Sequence, residues 1–344
     1  MKSWQVISPN TIELTERESV TPEFHEVKVK ITRAALSVSD TLVYDGKIKN
    51  AGYPVTIGRQ AVGIVAETGE DVKFAVRGNR VVLDPYLVRK ECSGCQNDCD
   101  NCDTLRVAGV SAEGFLSDFV TVSQDAVKKL PENISDSDAL FVEQTAIVSK
   151  VMHKLNLKKG DHVVIAGASV IGLIAAQSAI WHQLVPIVVD SRAENLKLAE
   201  KLGVYYCIDS SQITVNTRIK TLTGGRMADA LIYCASAIVG MSHNLQSFLD
   251  CVTTGGKIIL AGFCGTNPNI KVDLAIAFER QLTISSVNNG ADYLTEAINM
   301  LANKSITVNS LVTKEVDFDS VGKVIHEMAS ESERYFKVAV NLKV

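Results

Sequence analysis

The chain has 344 residues, more than a single hydrophobic core usually holds, so we predict two domains. With 46% hydrophobic residues, 22% charged residues and a formal net charge of −4, the composition is that of a globular protein, and it argues against nucleic-acid or anionic-membrane partners. The N-terminus lacks the apolar run of a signal peptide, and the longest apolar stretch, residues 170–181, is too short to span a bilayer, so we expect a soluble, cytoplasmic protein.

The first third of the chain reads as short β-strands separated by turns. The segments are VKVKITRAAL (27–36), AVGIVAET (61–68), RVVLDPY (80–86) and FLSDFVTVS (115–123). Short β segments with glycine punctuation predict a small, barrel-like β domain.

Four of the eight cysteines fall within eleven residues, at Cys92, Cys95, Cys99 and Cys102. In a chain without a secretion signal, such a cluster indicates a metal site before it indicates disulfides. Four thiolates around one ion leave no open coordination position, so we predict one structural zinc. An iron–sulfur cluster is the alternative, and four reduced thiols without a metal are the third possibility.

From about residue 146, apolar strands alternate with helical periods, which is typical of a doubly wound parallel sheet. The predicted strands are HVVIA (162–166), PIVVD (186–190), DALIYCA (229–235) and GGKIILAGF (255–263), and the predicted helices are IGLIAAQSAIWHQ (171–183) and ENLKLAEKLGV (194–204). A helix, YLTEAINMLANK (293–304), and a final strand, FKVAVNLKV (336–344), follow and are expected to return to the first domain.

Between the first strand and helix of this alternation lies a G-x-G-x-x-G loop with its middle glycine replaced. Gly167 permits the tight turn and Gly172 the close helix–strand packing, while Ser169 stands at the middle position. The helix that starts at Val170 and Ile171 offers N–H groups and its positive dipole end to a pyrophosphate. The loop alone is also compatible with a tight turn that binds nothing.

A second signal favours the dinucleotide interpretation, because the next strand ends in an acid. Asp190 follows Gly172 by eighteen residues, at the position where a carboxylate accepts hydrogen bonds from the adenosine ribose. An acid there repels a 2′-phosphate, so NAD(H) is favoured over NADP(H), although Arg192 can soften that preference. The remaining cofactor-binding candidates lie at or just after the ends of the predicted strands PIVVD, DALIYCA and GGKIILAGF. They are Ser191, Cys234, Gly262 and Phe263.

Over nearly its whole length the chain resembles the medium-chain dehydrogenase/reductase family, most of all its zinc-containing polyol and threonine dehydrogenases. The segments that carry the resemblance, in order, are IGRQAVGIVAETG (57–69), the cysteine cluster, LFVEQTA (140–146), KKGDHVVIAGASVIGL (158–173), VVDSRAENLKLAEKLG (188–203), GGKIILAGF and FKVAVNL. The resemblance implies an α/β fold with a GroES-like β-barrel catalytic domain at residues 1–145, including a four-cysteine lobe at about 88–106. It further implies a Rossmann domain at 146–287 and a C-terminal segment, 288–344, that returns to the catalytic domain.

The family's catalytic zinc ligands are replaced in this chain. The resemblance places a cysteine where Ser37 stands and a histidine where Arg59 stands, and Glu143 alone matches a ligand position. A guanidinium does not deprotonate to bind metal and repels a divalent cation, so we predict no catalytic zinc.

Two interpretations of Arg59 remain open. Arg59 and Glu143 either form an ion pair that fills a vacated metal site, or the guanidinium replaces zinc as the positive group beside a substrate oxygen. Ser39 stands where the family has its proton-relay hydroxyl, and Tyr44 is a weaker candidate for the same role.

The sequence therefore predicts an NAD(P)H-dependent oxidoreductase that reduces a polarised C=O, C=N or conjugated C=C bond of a small molecule. The alternatives are a sugar, polyol or alcohol dehydrogenase that uses the same site and a dinucleotide-binding sensor or structural protein without turnover. The resemblance also implies a homodimer or homotetramer that pairs sheet edges, with LTISSV (282–287) as the edge strand.

Overall fold

The computed structural model describes residues 1–87, 102, 105–234, 245–262, 272–331 and 334–342. The strands are β1 (Lys2–Ser8), β2 (Thr11–Glu16), β3 (Glu26–Leu36), β4 (Val55–Thr56), β5 (Gln60–Thr68), β6 (Arg80–Leu83), β7 (Tyr86–Leu87), β8 (Arg106–Val107), β9 (Phe119–Ser123), β10 (Val127–Lys129), β11 (His162–Ala166), β12 (Val185–Asp190), β13 (Tyr206–Asp209), β14 (Ala228–Tyr233), β15 (Val252–Ala261), β16 (Thr283–Val287), β17 (Val312–Asp317) and β18 (Lys337–Asn341).

The α-helices are α1 (Val38–Tyr44), α2 (Asp136–Ala139), α3 (Val142–Leu155), α4 (Val170–Trp181), α5 (Ala193–Lys201), α6 (Val215–Leu222), α7 (Leu274–Glu279), α8 (Leu294–Ala302) and α9 (Val321–Ser330). Among the described residues, no helix is long and apolar enough to cross a membrane.

Two compact units make up the chain. The first unit comprises Met1–Glu143, Leu294–Asn303 and Val308–Val344, and the second comprises Gln144–Tyr293 and Lys304–Thr307. The C-terminal strand β18 therefore belongs to the same unit as the N-terminal strands. The boundaries at 145/146 and 287/288 stay predictions.

The first unit is built around β3, which pairs with β5, β9 and β18 in a seven-stranded sheet. Val27, Val29 and Ile31 alternate along β3 toward the core and are at most 1% exposed, as the period of a strand requires. Gly63 lets β5 approach β3, because a Cβ at this position would lie 2.3 Å from the Lys30 carbonyl oxygen. Smaller sheets, β2-β1-β4 and β7-β8, complete the unit.

The second unit contains a six-stranded, fully parallel sheet in the order β13-β12-β11-β14-β15-β16. This is the strand order of the doubly wound dinucleotide-binding fold, so the predicted Rossmann sheet is confirmed. Residues Val163–Ala166 of β11 are fully buried, in keeping with a central strand covered on both faces. The order reverses at β11, and the crevice beside such a switch point is where this fold binds its ligands.

Candidate active site

A buried carboxylate at the start of α3 collects three donors in the first unit. Glu143, 5% exposed, lies in the first turn of the helix and forms an ion pair with Nη2 of Arg59. Its second oxygen accepts from Nε2 of Gln60, and the Tyr86 hydroxyl donates to Oε1 at 2.9 Å. The structure thus brings Arg59 and Glu143 together and adds Gln60 and Tyr86 to them.

Tyr86 fixes the guanidinium from a second direction. Nη2 of Arg59 donates to the Tyr86 hydroxyl oxygen at 3.2 Å, and the guanidinium carbon lies 5.7 Å from the ring centroid. Burial raises the pKa of Tyr86 well above its usual range, and the negative charge of Glu143 is the second-largest cause of this rise. The hydroxyl therefore stays protonated and keeps its role as donor to Glu143.

The predicted relay residue Ser39 belongs to a hydrogen-bonded chain at the start of α1. The hydroxyls of Ser39 and Ser37 lie 2.8 Å apart, and Ser37 Oγ donates to Oδ2 of Asp40 at 2.8 Å. Asp40 also accepts from the Ser37 N–H at 2.8 Å and from the Gly58 N–H at 2.9 Å. Its burial raises its pKa, against the opposing effect of these donors. The chain thus ends at the backbone of the segment that carries Arg59.

Tyr44, the other candidate proton donor, lies at the opposite end of α1. Its hydroxyl donates to the Asn10 carbonyl at 3.1 Å and lies 3.4 Å from Nδ1 of His326. Neither partner belongs to the group around Glu143. The structure does not join Tyr44 to Ser39 or Arg59 by hydrogen bonds.

A fully buried lysine stands near the same group. Lys337, at the start of β18, donates to the Leu140 carbonyl at 2.6 Å, and its nitrogen lies 4.0 Å from the centroid of the Phe141 ring. Leu140 and Phe141 directly precede α3, which carries Glu143.

In the second unit, the glycine-rich loop has the geometry that its sequence predicts. Gly167 has φ 104°, which only glycine adopts without strain. A Cβ on Gly172 would lie 1.9 Å from the Gly167 carbonyl oxygen, so the third glycine is required for the turn. Ser169 caps α4, accepting from the Gly172 N–H at 3.3 Å and donating to the Cys234 carbonyl at 3.4 Å. Val170 and Ile171 are the first residues of α4.

The acid at the end of β12 holds the loop in place. Asp190 is 4% exposed, and its two oxygens accept from the Ala168 N–H at 2.8 Å and the Arg192 N–H at 2.9 Å. The Arg192 guanidinium lies near the carboxylate, with Nε 3.9 Å from Oδ1. The amide oxygen of Asn195, in the orientation that satisfies both groups, accepts from Arg192 at 3.2 Å (Nε) and 2.7 Å (Nη2). Asp190 and Asn195 thus hold Arg192 between them, with Ser191 in the turn.

The remaining cofactor candidates follow β14 and β15. Cys234 is buried, and this burial raises the pKa of its thiol to about 12. Gly262 has φ 67°, and a Cβ there would lie 2.6 Å from Cδ1 of Ile171, so this position brings backbone against the start of α4. Phe263 lies outside the described residues, as do three of the four predicted metal ligands, Cys92, Cys95 and Cys99; Cys102 is described and is partly exposed.

Five further residues belong to the candidate sites but were not among the site residues suggested by the sequence. They are Asp40, Gln60, Tyr86, Lys337 and Asn195. Asp40 had the best local signal, because it lies three residues after Ser37 and completes a capping pattern at a helix start. Tyr86 and Lys337 reach the group only through tertiary contacts.

Comparison with known proteins identifies the class. The models of the alcohol dehydrogenase GroES-like domain and of the zinc-binding dehydrogenase match residues 23–132 and 170–303. The chain belongs to the medium-chain dehydrogenase/reductase family and is a nicotinamide-dependent dehydrogenase or reductase with a GroES-like first domain. The predicted family and fold class are confirmed.

Individual relatives cover almost the entire chain. The starvation-sensing protein RspB of Escherichia coli K12 is 29% identical over 341 residues, 98% of each chain. A sorbitol dehydrogenase of Halalkalibacterium halodurans is 27% identical and covers 92% of each chain. The crystal structure of an alcohol dehydrogenase (rspB) from E. coli CFT073, complexed with NADH, is 27% identical, covers 99% of each chain and superposes with a TM-score of 0.88.

Proposed function

We propose that the chain is an NAD(P)H-dependent reductase that acts without a catalytic zinc, with Arg59 as the positive group facing the substrate oxygen. The observation that carries this proposal is the ion pair of Arg59 with Glu143. At the three positions where the family binds its catalytic metal, the chain offers a serine, a guanidinium and a carboxylate that already holds that guanidinium. This donor set does not suit a divalent cation.

Arg59 is suited to stabilise negative charge on a substrate oxygen. When bound, the reduced nicotinamide supplies the hydride to the electrophilic carbon. Negative charge then develops on the oxygen or enolate of the substrate, and a fixed cation aimed at that charge lowers the barrier. Glu143 and Tyr86 fix the orientation of the guanidinium, so little reorganisation is needed as the charge appears.

Ser39 is the proposed proton donor, and Ser37 and Asp40 orient its hydroxyl. The hydroxyls of Ser39 and Ser37 lie 2.8 Å apart, and the Ser37 hydroxyl donates to Asp40 at 2.8 Å, so Asp40 anchors this pair of hydroxyls. The proton passes from Ser39 to the substrate oxygen, and a proton from solvent restores the Ser39 hydroxyl.

The loop of the second unit fits a dinucleotide. The close approach of Gly172 to Gly167 and the capped start of α4 leave backbone N–H groups at a helix N-terminus for a pyrophosphate. We propose that NAD(H) is favoured over NADP(H), because Asp190 is an acid at the ribose position and Arg192 is held by Asn195. The proposal also includes one structural zinc, bound by Cys92, Cys95, Cys99 and Cys102. It further includes a homodimeric or homotetrameric assembly.

The proposed function is tested by NADH oxidation, followed at 340 nm, with 2-cyclohexenone, benzaldehyde, D-fructose and D-xylulose as probes. We expect the highest kcat/KM with the polarised enone or aldehyde, since a guanidinium activates a carbonyl less strongly than a metal ion does. Sorbitol dehydrogenases among the relatives favour a second candidate, a sugar or polyol dehydrogenase. Preferred turnover of the ketoses would support that candidate, and no turnover with any probe would refute the proposed reduction.

A further inference from the structure

Lys337 is a charged side chain in a place where lysines are rarely found. It is 0% exposed, and Phe141, above whose ring the amine lies, is also 0% exposed. Burying an ammonium group is costly unless nearby groups compensate for the lost water. The Leu140 carbonyl and the Phe141 ring compensate for part of this cost here.

These two partners tie Lys337 to the reaction centre. Leu140 and Phe141 are followed directly by α3, and Glu143 projects from the first turn of that helix. The charged groups that face the amine are the carboxylates of Glu143 and Asp40, which favour the ammonium form, and the Arg59 guanidinium, which opposes it. Lys337 thus belongs electrostatically to the group formed by the two carboxylates and Arg59.

We propose that Lys337 is a positioning residue for the reaction: its ammonium group, held by the Leu140 carbonyl and the Phe141 ring, fixes the start of α3 so that Glu143 keeps Arg59 oriented toward the substrate. This inference rests on the proposed function of Arg59. It adds a residue that is 194 positions from Glu143 along the chain and that contacts neither substrate nor cofactor in this mechanism.

Lys337 changes from the ammonium form to the neutral amine near neutral pH. Burial lowers the pKa of Lys337 to about 7, against the opposing attraction of Glu143 and Asp40. A neutral amine loses its attraction to the aromatic ring and to both carboxylates. As the pH rises through about 7, Glu143 is therefore held less firmly in its orientation, and the reaction rate falls.

The activity test compares Lys337→Met and Lys337→Arg with the full-length parent, using NADH and the probe with the highest kcat/KM. Lys257→Met is a matched control, since Lys257 also donates to a helix-end carbonyl, that of Leu155, at 2.6 Å, but within the second unit. We expect the parent's kcat to fall as the pH rises from 6 to 9. Lys337→Met should lower kcat at pH 6 by up to about 10²-fold, the loss typical of a displaced catalytic group, and should abolish that fall.

Lys337→Arg retains the charge throughout this pH range and should keep its rate at pH 9. Lys257→Met should preserve the parental profile. A parental pH profile in Lys337→Met would overturn the proposal.

A crystal structure of Lys337→Met separates this proposal from the proposed function, because it needs no turnover. We expect the Glu143 carboxylate to move more than about 1 Å away from Arg59, a displacement large enough to impair catalysis. An unchanged ion pair between Arg59 and Glu143 would refute the positioning role even if the parent reduces the probes. A displaced Glu143 in a protein that reduces none of them would support the positioning role and refute the reaction instead.

Discussion

The contact between Arg59 and Glu143 is compatible with two roles that differ in their consequences. A buried pair can be retained only because each charge compensates the other, or because its cation takes part in the reaction. Gln60 and Tyr86 also donate to Glu143, so the carboxylate keeps neutral hydrogen-bond partners when the guanidinium is removed. Substitutions at both positions can therefore distinguish structure from catalysis.

Arg59→Met should lower kcat by about 10²–10³-fold, as expected for the loss of an electrostatic stabiliser, while the Kd for NADH stays near the parental value. It should also lower the free energy of unfolding by up to about 3–5 kcal/mol, because Glu143 keeps its charge without its ionic partner. Steady-state kinetics, nucleotide fluorescence titration and urea denaturation measure the three quantities.

The double variant Arg59→Met/Glu143→Gln is the control for this prediction. It removes both charges, so stability should recover. Turnover should stay low because no cation faces the substrate oxygen. Parental activity in the double variant would exclude Arg59 from the mechanism.

Lys337 makes a prediction about stability as a function of pH. Its folded-state pKa of about 7 lies below the unfolded value of 10.5, so between these values the unfolded chain binds more protons than the folded protein. Lys337 therefore contributes a penalty that is full below about pH 7 and disappears as the pH rises toward 10.5. The parent's stability relative to Lys337→Met should rise by up to about 1.4 kcal/mol per pH unit across that window.

Urea denaturation of the parent and Lys337→Met at pH 6, 8 and 10 measures this difference. Lys257→Met serves again as the control and should follow the parental dependence. A difference that does not vary with pH would show that Lys337 has an ordinary pKa.

The proposed cofactor preference depends on Asp190 at the end of β12 and on Arg192 and Asn195 at the start of α5. Asp190→Ser removes the acid that disfavours a 2′-phosphate, so the ratio of the Kd values for NADPH and NADH should fall toward or below one. Asn195→Ala releases the Arg192 guanidinium from its amide acceptor and should shift the ratio in the same direction by a smaller factor. Equal affinities in the parent would contradict the proposed preference, because Arg192 would then already offset Asp190.

At the scale of elements, the sequence predicted those that carry a periodic local signal. HVVIA, PIVVD and the helix between them correspond to β11, β12 and α4, because a buried parallel strand and the helix after it each have a distinctive apolar pattern. The residues around Glu143 have no such signal. Tyr86 is 57 residues from its hydrogen-bond partner Glu143 along the chain, and Lys337 is 197 residues from its partner Leu140. Only folding brings these side chains to the start of α3.

The four-cysteine lobe yields a prediction at the same scale. One zinc per chain should be found by elemental analysis, and Cys95→Ser should reduce that content and promote aggregation of the lobe. NADH binding should persist, because the second unit has its own core. Two zinc ions per chain would contradict the proposal that the chain lacks a catalytic zinc, and iron with acid-labile sulfide would identify the alternative cluster.

At the scale of the whole molecule, the edge of the parallel sheet is the surface to test for assembly. Among the described residues, strand β16 pairs only with β15 and so lies at an edge of the sheet, and Ile284 within it is 37% exposed. Helix α7, which precedes β16, exposes Leu274 and Phe278 at 76% and 84%. A sheet edge with apolar side chains nearby is suited to pairing with a second copy about a twofold axis.

We expect the parent to sediment with at least twice the 37.2 kDa mass of the chain and the variant Phe278→Asp/Ile284→Lys to dissociate at micromolar concentrations. Each substitution places a charge where a large apolar side chain would be buried, at a cost of about 1.5–3 kcal/mol in lost burial alone, so the dimer Kd should rise at least about 10²-fold. Phe74→Asp is the matched control, because Phe74 in the first unit is an aromatic residue of similar exposure, 77% against 84% for Phe278. In a tetramer, the double variant should stop at the dimer formed by the second interface, whereas a parental mass for the double variant would show that β16 and α7 do not carry the assembly.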